Sequence, residues 1–261
     1  MATTEVRAKI ELAGETGRGL VRHHNEDNFC LVTRPEDNAS LVAVADGVGG
    51  RAGGDVASYV CCRMLCDAWR ARPRHELSEA GAKTFLEQAI GEANRRLITQ
   101  NRFDHDGSAM GTTVVCAVVF ADRIVAAHAG DSRLYMSVPG RGLVQMTRDH
   151  ILQRLIEEDG INREILRAGA RPLSTLYQAV GTSRTLDLEI QSFERPRAAR
   201  YLWCSDGLSR YVPEARIAEV MECEGSARDA VNLLMRETML AGAPDNVTVV
   251  CGFPERQQKT N

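Results

Sequence analysis

Four acidic signals in this chain share one local form. Asn25-Glu26-Asp27 comes just before the alternating stretch Asn28 to Thr33, and Asp46-Gly47 closes the apolar run Leu41 to Ala45. Asp206-Gly207 follows Tyr201 to Cys204, and Asp245-Asn246 precedes Val247 to Phe253. Each puts an acid at a strand terminus. Taken singly, Asp-Gly and Asp-Asn are turn residues, and Asp106-Gly107 and Asp159-Gly160 are read as no more than that. Taken together, strand ends that meet at one sheet edge bring several carboxylates to one place, where repulsion and desolvation demand a cation. All-oxygen ligation suits Mg2+ or Mn2+, and the six histidines (His23, His24, His75, His105, His128, His150) show no pairing of the zinc-protease kind. One Asp bridging two ions roughly 4 Å apart can hold a water between them, lower its pKa and aim it in line at phosphorus. Gly47 lets its own carbonyl approach a metal with no side chain in the way. Arg22, five residues before Asp27, is either a bidentate fork for phosphoryl oxygens or an ordinary surface arginine.

Gly47-Val48-Gly49-Gly50-Arg51-Ala52 also matches a dinucleotide-binding fingerprint on paper, with Asp67 twenty residues after Gly47. Two features count against it. Asp67 falls inside a predicted helix instead of ending a second parallel strand, and Asp46 would set a carboxylate beside a pyrophosphate. No Gly-Lys-[Ser/Thr] follows any glycine cluster, so a phosphate-binding loop of the Walker type is excluded.

Periodicity supplies the elements that must position these residues. Strands are expected over Asn28 to Thr33 and Leu41 to Ala45, separated by the turn-rich Arg34-Pro35-Glu36-Asp37-Asn38. Asp55 to Trp69 and Ala80 to Gln100 carry apolar residues at three- and four-residue spacing and read as helices covering a sheet face. Thr112 to Phe120, Arg123 to His128 and Arg133 to Ser137 read as an antiparallel meander reversing at Ala121-Asp122 and Gly130-Asp131. A short helix starting at Gln153 leads into an irregular charged stretch through Arg171-Pro172, read as a surface flap near residues 155–175. Strands Leu186 to Phe193 and Tyr201 to Cys204 follow, then helices Pro213 to Met221 and Ala227 to Leu240, then a last strand Val247 to Phe253. Clustered strands with paired helices, without strict strand–helix alternation, point to an α+β fold.

Composition bounds the function. The 261 residues carry 32 Lys+Arg against 35 Asp+Glu, a net charge of −3, with 44% hydrophobic residues. That length suits one large domain, placed at residues 8–254 with a polar tail over 255–261. So balanced a charge excludes nucleic acid as the main partner. No apolar run approaches the roughly 18 residues of a membrane span, and Met1 to Glu5 lacks a secretory signal's basic and apolar regions. The expected setting is the cytoplasm. Eight cysteines without a Cys-x-x-Cys pair read as buried, reduced thiols, Cys62 and Cys66 included.

At this point the chain resembles the metal-dependent Ser/Thr protein phosphatases of the PPM or PP2C type, in their compact bacterial form. The ordered series is Gly19 to Asp27, Asp46-Gly47-Val48-Gly49-Gly50 with Gly53-Gly54, Gly111-Thr112-Thr113, Ala129 to Arg133, Thr147 to His150, Ala179-Val180-Gly181, Cys204 to Leu208, and Asp245 to Thr248. It spans about Leu12 to Phe253.

The resemblance implies a β-sandwich of two antiparallel sheets flanked by helix pairs, with a metal cleft at one sandwich edge. It implies that Asp46 bridges two Mn2+ or Mg2+ ions and that the Gly47 carbonyl binds one. Asp206 and Asp245 complete one ion. The Glu26-Asp27 pair serves the other, with Asp27 the preferred ligand. Asp131 with Asp206 matches a third-metal position, Arg22 matches the phosphate-binding arginine, and Asn246, Thr112 and Ser205 are supporting positions, Ser205 orienting Asp206. Two departures stand out. Val48 and Arg51 occupy places where relatives carry a histidine, so the proton donor is unassigned among His23, His24 and a metal-bound water. Gly169-Ala170-Arg171-Pro172 replaces the His-Pro pair expected near the flap's end. The implied activity is hydrolysis of phosphoserine and phosphothreonine on proteins by metal-activated water, opposing a Ser/Thr kinase and carried out by a monomer. The alternatives are a catalytically silent scaffold of the same fold and a small-molecule phosphoesterase with the same metal chemistry.

Overall fold

The computed structural model describes residues 10–34, 39–48, 53–73, 77–101, 109–158 and 172–255. In chain order the elements are β1 (Ile10–Gly17), β2 (Asp27–Arg34), β3 (Ala39–Val48), α1 (Gly54–Ala71), α2 (Glu79–Asn101), β4 (Gly111–Thr112), β5 (Val114–Val119), β6 (Arg123–Ala129), β7 (Arg133–Val138), β8 (Gly142–Gln145) and α3 (Leu152–Glu158). There follow β9 (Glu189–Glu194), β10 (Arg200–Cys204), α4 (Asp206–Ser209), α5 (Glu214–Cys223), α6 (Ala227–Leu240) and β11 (Val247–Pro254). The strands form two antiparallel sheets, β1-β11-β10-β7-β8 and β2-β3-β5-β6-β9, with β4 paired to the end of β3.

Alternation along the strands sorts side chains into layers. On β3, Val42 and Val44 enter the seam between the sheets, while Leu41, Ala43 and Ala45 pack with residues of α1 and α2. On β11, Val250 enters the seam, and Val247, Val249 and Cys251 pack with α5 and α6. Tyr201 and Trp203 of β10 fill the seam. Strands buried on both faces carry continuous apolar runs, and all of β5 is buried. Helix α1 buries Ala57, Cys61, Leu65 and Trp69 at a spacing of four, and it stops where Arg72 turns extended before Pro73. The result is the expected sandwich between helix pairs. The eight cysteines are free, Cys223 alone being exposed.

The structure departs from the sequence expectation in three places. The meander is broken: β5 and β6 pair, but β7 lies in the other sheet between β10 and β8. Gly130, at φ 112°, carries a crossover and not a hairpin, a distinction that a Gly-Asp pair and flanking alternation do not encode. Second, the strand expected from Leu186 starts its ladder at Glu189, because Leu186 and Leu188 pack against the helix-side core without pairing. Third, β1, β8 and α4 are additional. In β1, Gly14 and Gly17 weaken the strand signal, yet Gly14 is the spot where the Phe29 ring crosses: a Cβ there would sit 2.7 Å from it. Among the described residues no helix is long and apolar enough to cross a membrane. The Pro35–Asn38 turn, Gly49 to Ala52, Asp106-Gly107, most of the flap (159–171) and tail residues 256–261 lie outside the described residues.

Candidate active site

Five segments deliver acids to one edge of the sandwich. Asp27 opens β2 and Asp46 nears the end of β3, and the two are register partners across the ladder. Asp131 sits in the β6–β7 crossover, Asp206 opens α4 directly after β10, and Asp245 stands two residues before β11. Glu26, Asp46, Gly47, Asp131, Asp206 and Asp245 line an open cleft of about 300 Å³, together with Arg22, Arg210 and Asn246. Asp27, 3% exposed, is not part of the cleft wall. The donor set is entirely oxygen.

Each acid is held by backbone that cannot easily move. Asp46 exchanges bonds with Thr113, whose Oγ1 accepts from the Asp46 amide at 3.0 Å and whose amide donates to the Asp46 carbonyl at 2.8 Å. Thr112 Oγ1 donates to that same carbonyl at 2.9 Å. At Gly47 a Cβ would lie 2.2 Å from the Gly54 carbonyl oxygen and 2.7 Å from that of Glu26, so only glycine lets β3, α1 and the β2 entry meet. Asn246 ties down the loop that carries Arg22: its Nδ2 donates to the carbonyls of Arg18 and His24, and its Oδ1 accepts from the Glu26 amide. The Asp131 crossover is clamped by His150, whose Nδ1 accepts from the Gly130 amide at 3.2 Å while its own amide donates to Gly130 at 3.0 Å. Arg133 beside it is bidentate to Asp149. Motifs that never reach the cleft thus hold the turn that does.

Asp27 is the most unusual group. Its Oδ2 accepts from Ser205 Oγ at 2.7 Å and Thr248 Oγ1 at 2.8 Å, while its buried Oδ1 has no hydrogen-bond partner. Ser205 therefore orients Asp27 and not Asp206, a correction to the sequence reading. Burial pushes the Asp27 carboxyl up to about 7, against the two hydroxyls and helped by Asp206 and Asp245. Burial likewise raises Asp46 well above the usual range, with Asp27, Asp206 and Asp131 adding to it, and burial raises Asp206 against the pull of Arg210. Asp131 rises to about 6 through burial and Asp206, opposed by Arg210. Glu26 is raised by burial, opposed by Arg22.

Two guanidinium groups answer six carboxylates. Arg22, half exposed, donates to Asp245 Oδ2 at 2.9 Å. Arg210 stands 2.7 Å from Asp131 Oδ2 and 3.0 Å from Asp206 Oδ2. The formal deficit of four charges is what two divalent ions balance. The orphaned Asp27 oxygen, the side-chain-free approach at Gly47 and the oxygen-only donors all suit hard divalent cations. His23 and His24 are exposed and neither lines the cleft.

Sequence reasoning missed Arg210, Ser174 and Leu176, all of which line the cleft. The available signal for Arg210 was its position four residues after Asp206, one helical turn on. The Gly47 fingerprint belongs to an antiparallel sheet, and Asp67 pairs with Arg63 within α1, which removes the dinucleotide reading.

Comparison with known proteins agrees with this geometry. A family model described as protein phosphatase 2C matches residues 21–237. The chain is similar to a serine/threonine phosphatase, stp, of Listeria monocytogenes serotype 4b (strain F2365), with 32% identity over 94% of this chain and 96% of that protein. Its fold resembles the catalytic domain of the serine/threonine protein phosphatase PstP in complex with two manganese ions (TM-score 0.76, 31% identity, 94% of this chain, 97% of that one). It also resembles the S. agalactiae serine/threonine phosphatase (TM-score 0.84, 25% identity, 94% of this chain, all of that one).

Proposed function

Because this chain belongs to the protein phosphatase 2C family, we infer that it is a metal-dependent Ser/Thr protein phosphatase, hydrolysing phosphoserine and phosphothreonine on proteins. The observation that carries this reading is the convergence of Asp27, Asp46, Asp206 and Asp245 beside Arg22 at one sandwich edge. Asp46 would serve both members of a Mn2+ or Mg2+ pair, Asp206 and Asp245 would complete one, and the Gly47 carbonyl with Asp27 and Glu26 would serve the other. When bound, such a pair supplies an acidified water for attack at phosphorus and screens the charge of the phosphoryl group. Asp131 adds a further carboxylate beside Asp206.

The protein's own part is positioning. Arg22, half exposed and now on Asp245, turns its fork to the phosphoryl oxygens and fixes their orientation. Thr112, Thr113 and Asn246 hold Asp46 and the Arg22 loop still as charge shifts. Residues 8–254 act as one catalytic domain that works as a monomer in the cytoplasm, in signalling that reverses a Ser/Thr kinase. None of the predicted ligand residues is replaced, which speaks against a silent scaffold.

Phosphate release from a phosphothreonine peptide tests the reading, measured with Mn2+, with excess EDTA, and for Asp46→Asn with Mn2+. Turnover that needs metal and disappears in the variant is expected. A folded wild-type protein inactive with both Mn2+ and Mg2+ refutes it, and turnover of small phosphate esters without phosphopeptides points to a small-molecule enzyme instead.

A further inference from the structure

The short helix α4 places Arg210 one turn after Asp206, its amide donating to the Asp206 carbonyl at 2.9 Å. From there one nitrogen, Nη2, reaches Oδ2 of both Asp131 (2.7 Å) and Asp206 (3.0 Å). Asp131 lies two residues before β7 and Asp206 two residues after the end of β10, its ladder neighbour, and residue exposures of 6% and 9% leave the two carboxylates little water. The other acids near Asp131 are Asp46, which the reading above commits to the core ion pair, and Asp149, which Arg133 already holds in a bidentate pair.

We propose that Arg210 takes the place of a third divalent ion, supplying from the chain itself the positive charge that binds Asp131 to Asp206. A cation entering between these carboxylates must displace a guanidinium from both oxygens at once, and it gains no spare carboxylate in return. Two positive groups would then compete for one pair of acids. Arginine keeps its charge at any working pH, so the pairing persists whatever the metal concentration. Arg210 is thus a positioning residue: it acts through Asp131 and Asp206, holding the β6–β7 crossover turn against the end of β10, the strand that pairs with β7. The inference rests on the binuclear reading above and assigns the third acidic position to a side chain.

The test counts Mn2+ bound per chain by native mass spectrometry and titration calorimetry. Wild type and Arg210→Lys, which keeps the charge, are expected to bind two ions. Arg210→Gln is expected to bind three, and Arg210→Gln with Asp131→Asn two again. Three ions on the wild type, or two on Arg210→Gln, overturn the proposal. A second arm uses EDTA-treated protein and thermal melts. Arg210→Gln should melt a few degrees lower than wild type, and adding Asp131→Asn should recover part of that loss, because it removes the unpaired charge. Fewer than two ions on the wild type would sink the binuclear reading instead, and the metal-free arm still judges Arg210: an unchanged melting temperature in Arg210→Gln overturns its role.

Discussion

Stripped of metal, the protein loses stability as pH rises from about 5 to about 7, and Asp27 accounts for a defined share of the loss. Its folded pKa of about 7 lies above the ordinary 3.8. Between those values the folded state keeps a proton that the unfolded chain has released, so each step up in pH favours unfolding. The contribution is present at low pH and disappears as pH passes from the unfolded to the folded value. One such proton is worth about 1.4 kcal/mol per pH unit, and the folded carboxyl is half titrated by pH 7, so Asp27 alone removes about 2 kcal/mol between pH 5 and 7. At about 2–4 °C per kcal/mol for chains near this length, the melting temperature falls by roughly 4–8 °C. Asp27→Asn is the matching perturbation. Its carbonyl can still accept from Ser205 and Thr248, and its amide nitrogen stands where Oδ1 has no partner. Melts followed by circular dichroism in EDTA, from pH 5 to 8, should show a shallower pH slope in this variant and a higher melting temperature than wild type above pH 7. Adding Mn2+ to the wild type should flatten its slope, since a cation favours the ionised carboxylates. A wild-type melting temperature independent of pH in EDTA, or a variant with the same slope, would refute the account of Asp27 as a carboxyl held protonated by burial.

Two further outcomes follow from the geometry. Arg22→Ala removes a charged hydrogen-bonding fork worth about 1.5–3 kcal/mol, so kcat/KM on a phosphothreonine peptide should fall roughly 10- to 100-fold while the melting temperature stays near wild type; an unchanged kcat/KM argues against phosphate binding by Arg22. Gly47→Ala drives a methyl group into the Gly54 and Glu26 carbonyls, and overpacking of this kind costs about 1–3 kcal/mol; it should lower stability and Mn2+ affinity together, as read by urea melts and calorimetry.

The candidate site was more legible in the sequence than the sheets that build it. Asp46-Gly47, Asp206-Gly207 and Asp245-Asn246 each announce a strand end in a few residues, and their meeting needs only that those ends share an edge. Sheet membership is different. Arg133 to Ser137 alternates just as a third meander strand would, and the choice of sheet is made by Leu134, Tyr201 and Trp203 meeting in the seam, a contact between segments far apart in sequence. Arg210 was hidden for another reason: α4 is four residues long, too short to leave a periodic signature. The exchange of Ser205 from Asp206 to Asp27 depends on the β10–β11 register, which local sequence does not reveal.

The place of β11 in its sheet bears on when activity can first arise during synthesis. Although last in chain order, β11 lies between β1 and β10 and pairs with both. Until residues 247–254 clear the ribosome, the first strand made has no ladder partner, and Asp245 has not yet been delivered to its companions. A nascent chain can assemble the sheet of β2, β3, β5, β6 and β9 well before that moment and still possess no working centre. Acquisition of metal would then mark the completion of folding, and an arrested or prematurely terminated product would be inert instead of partly active.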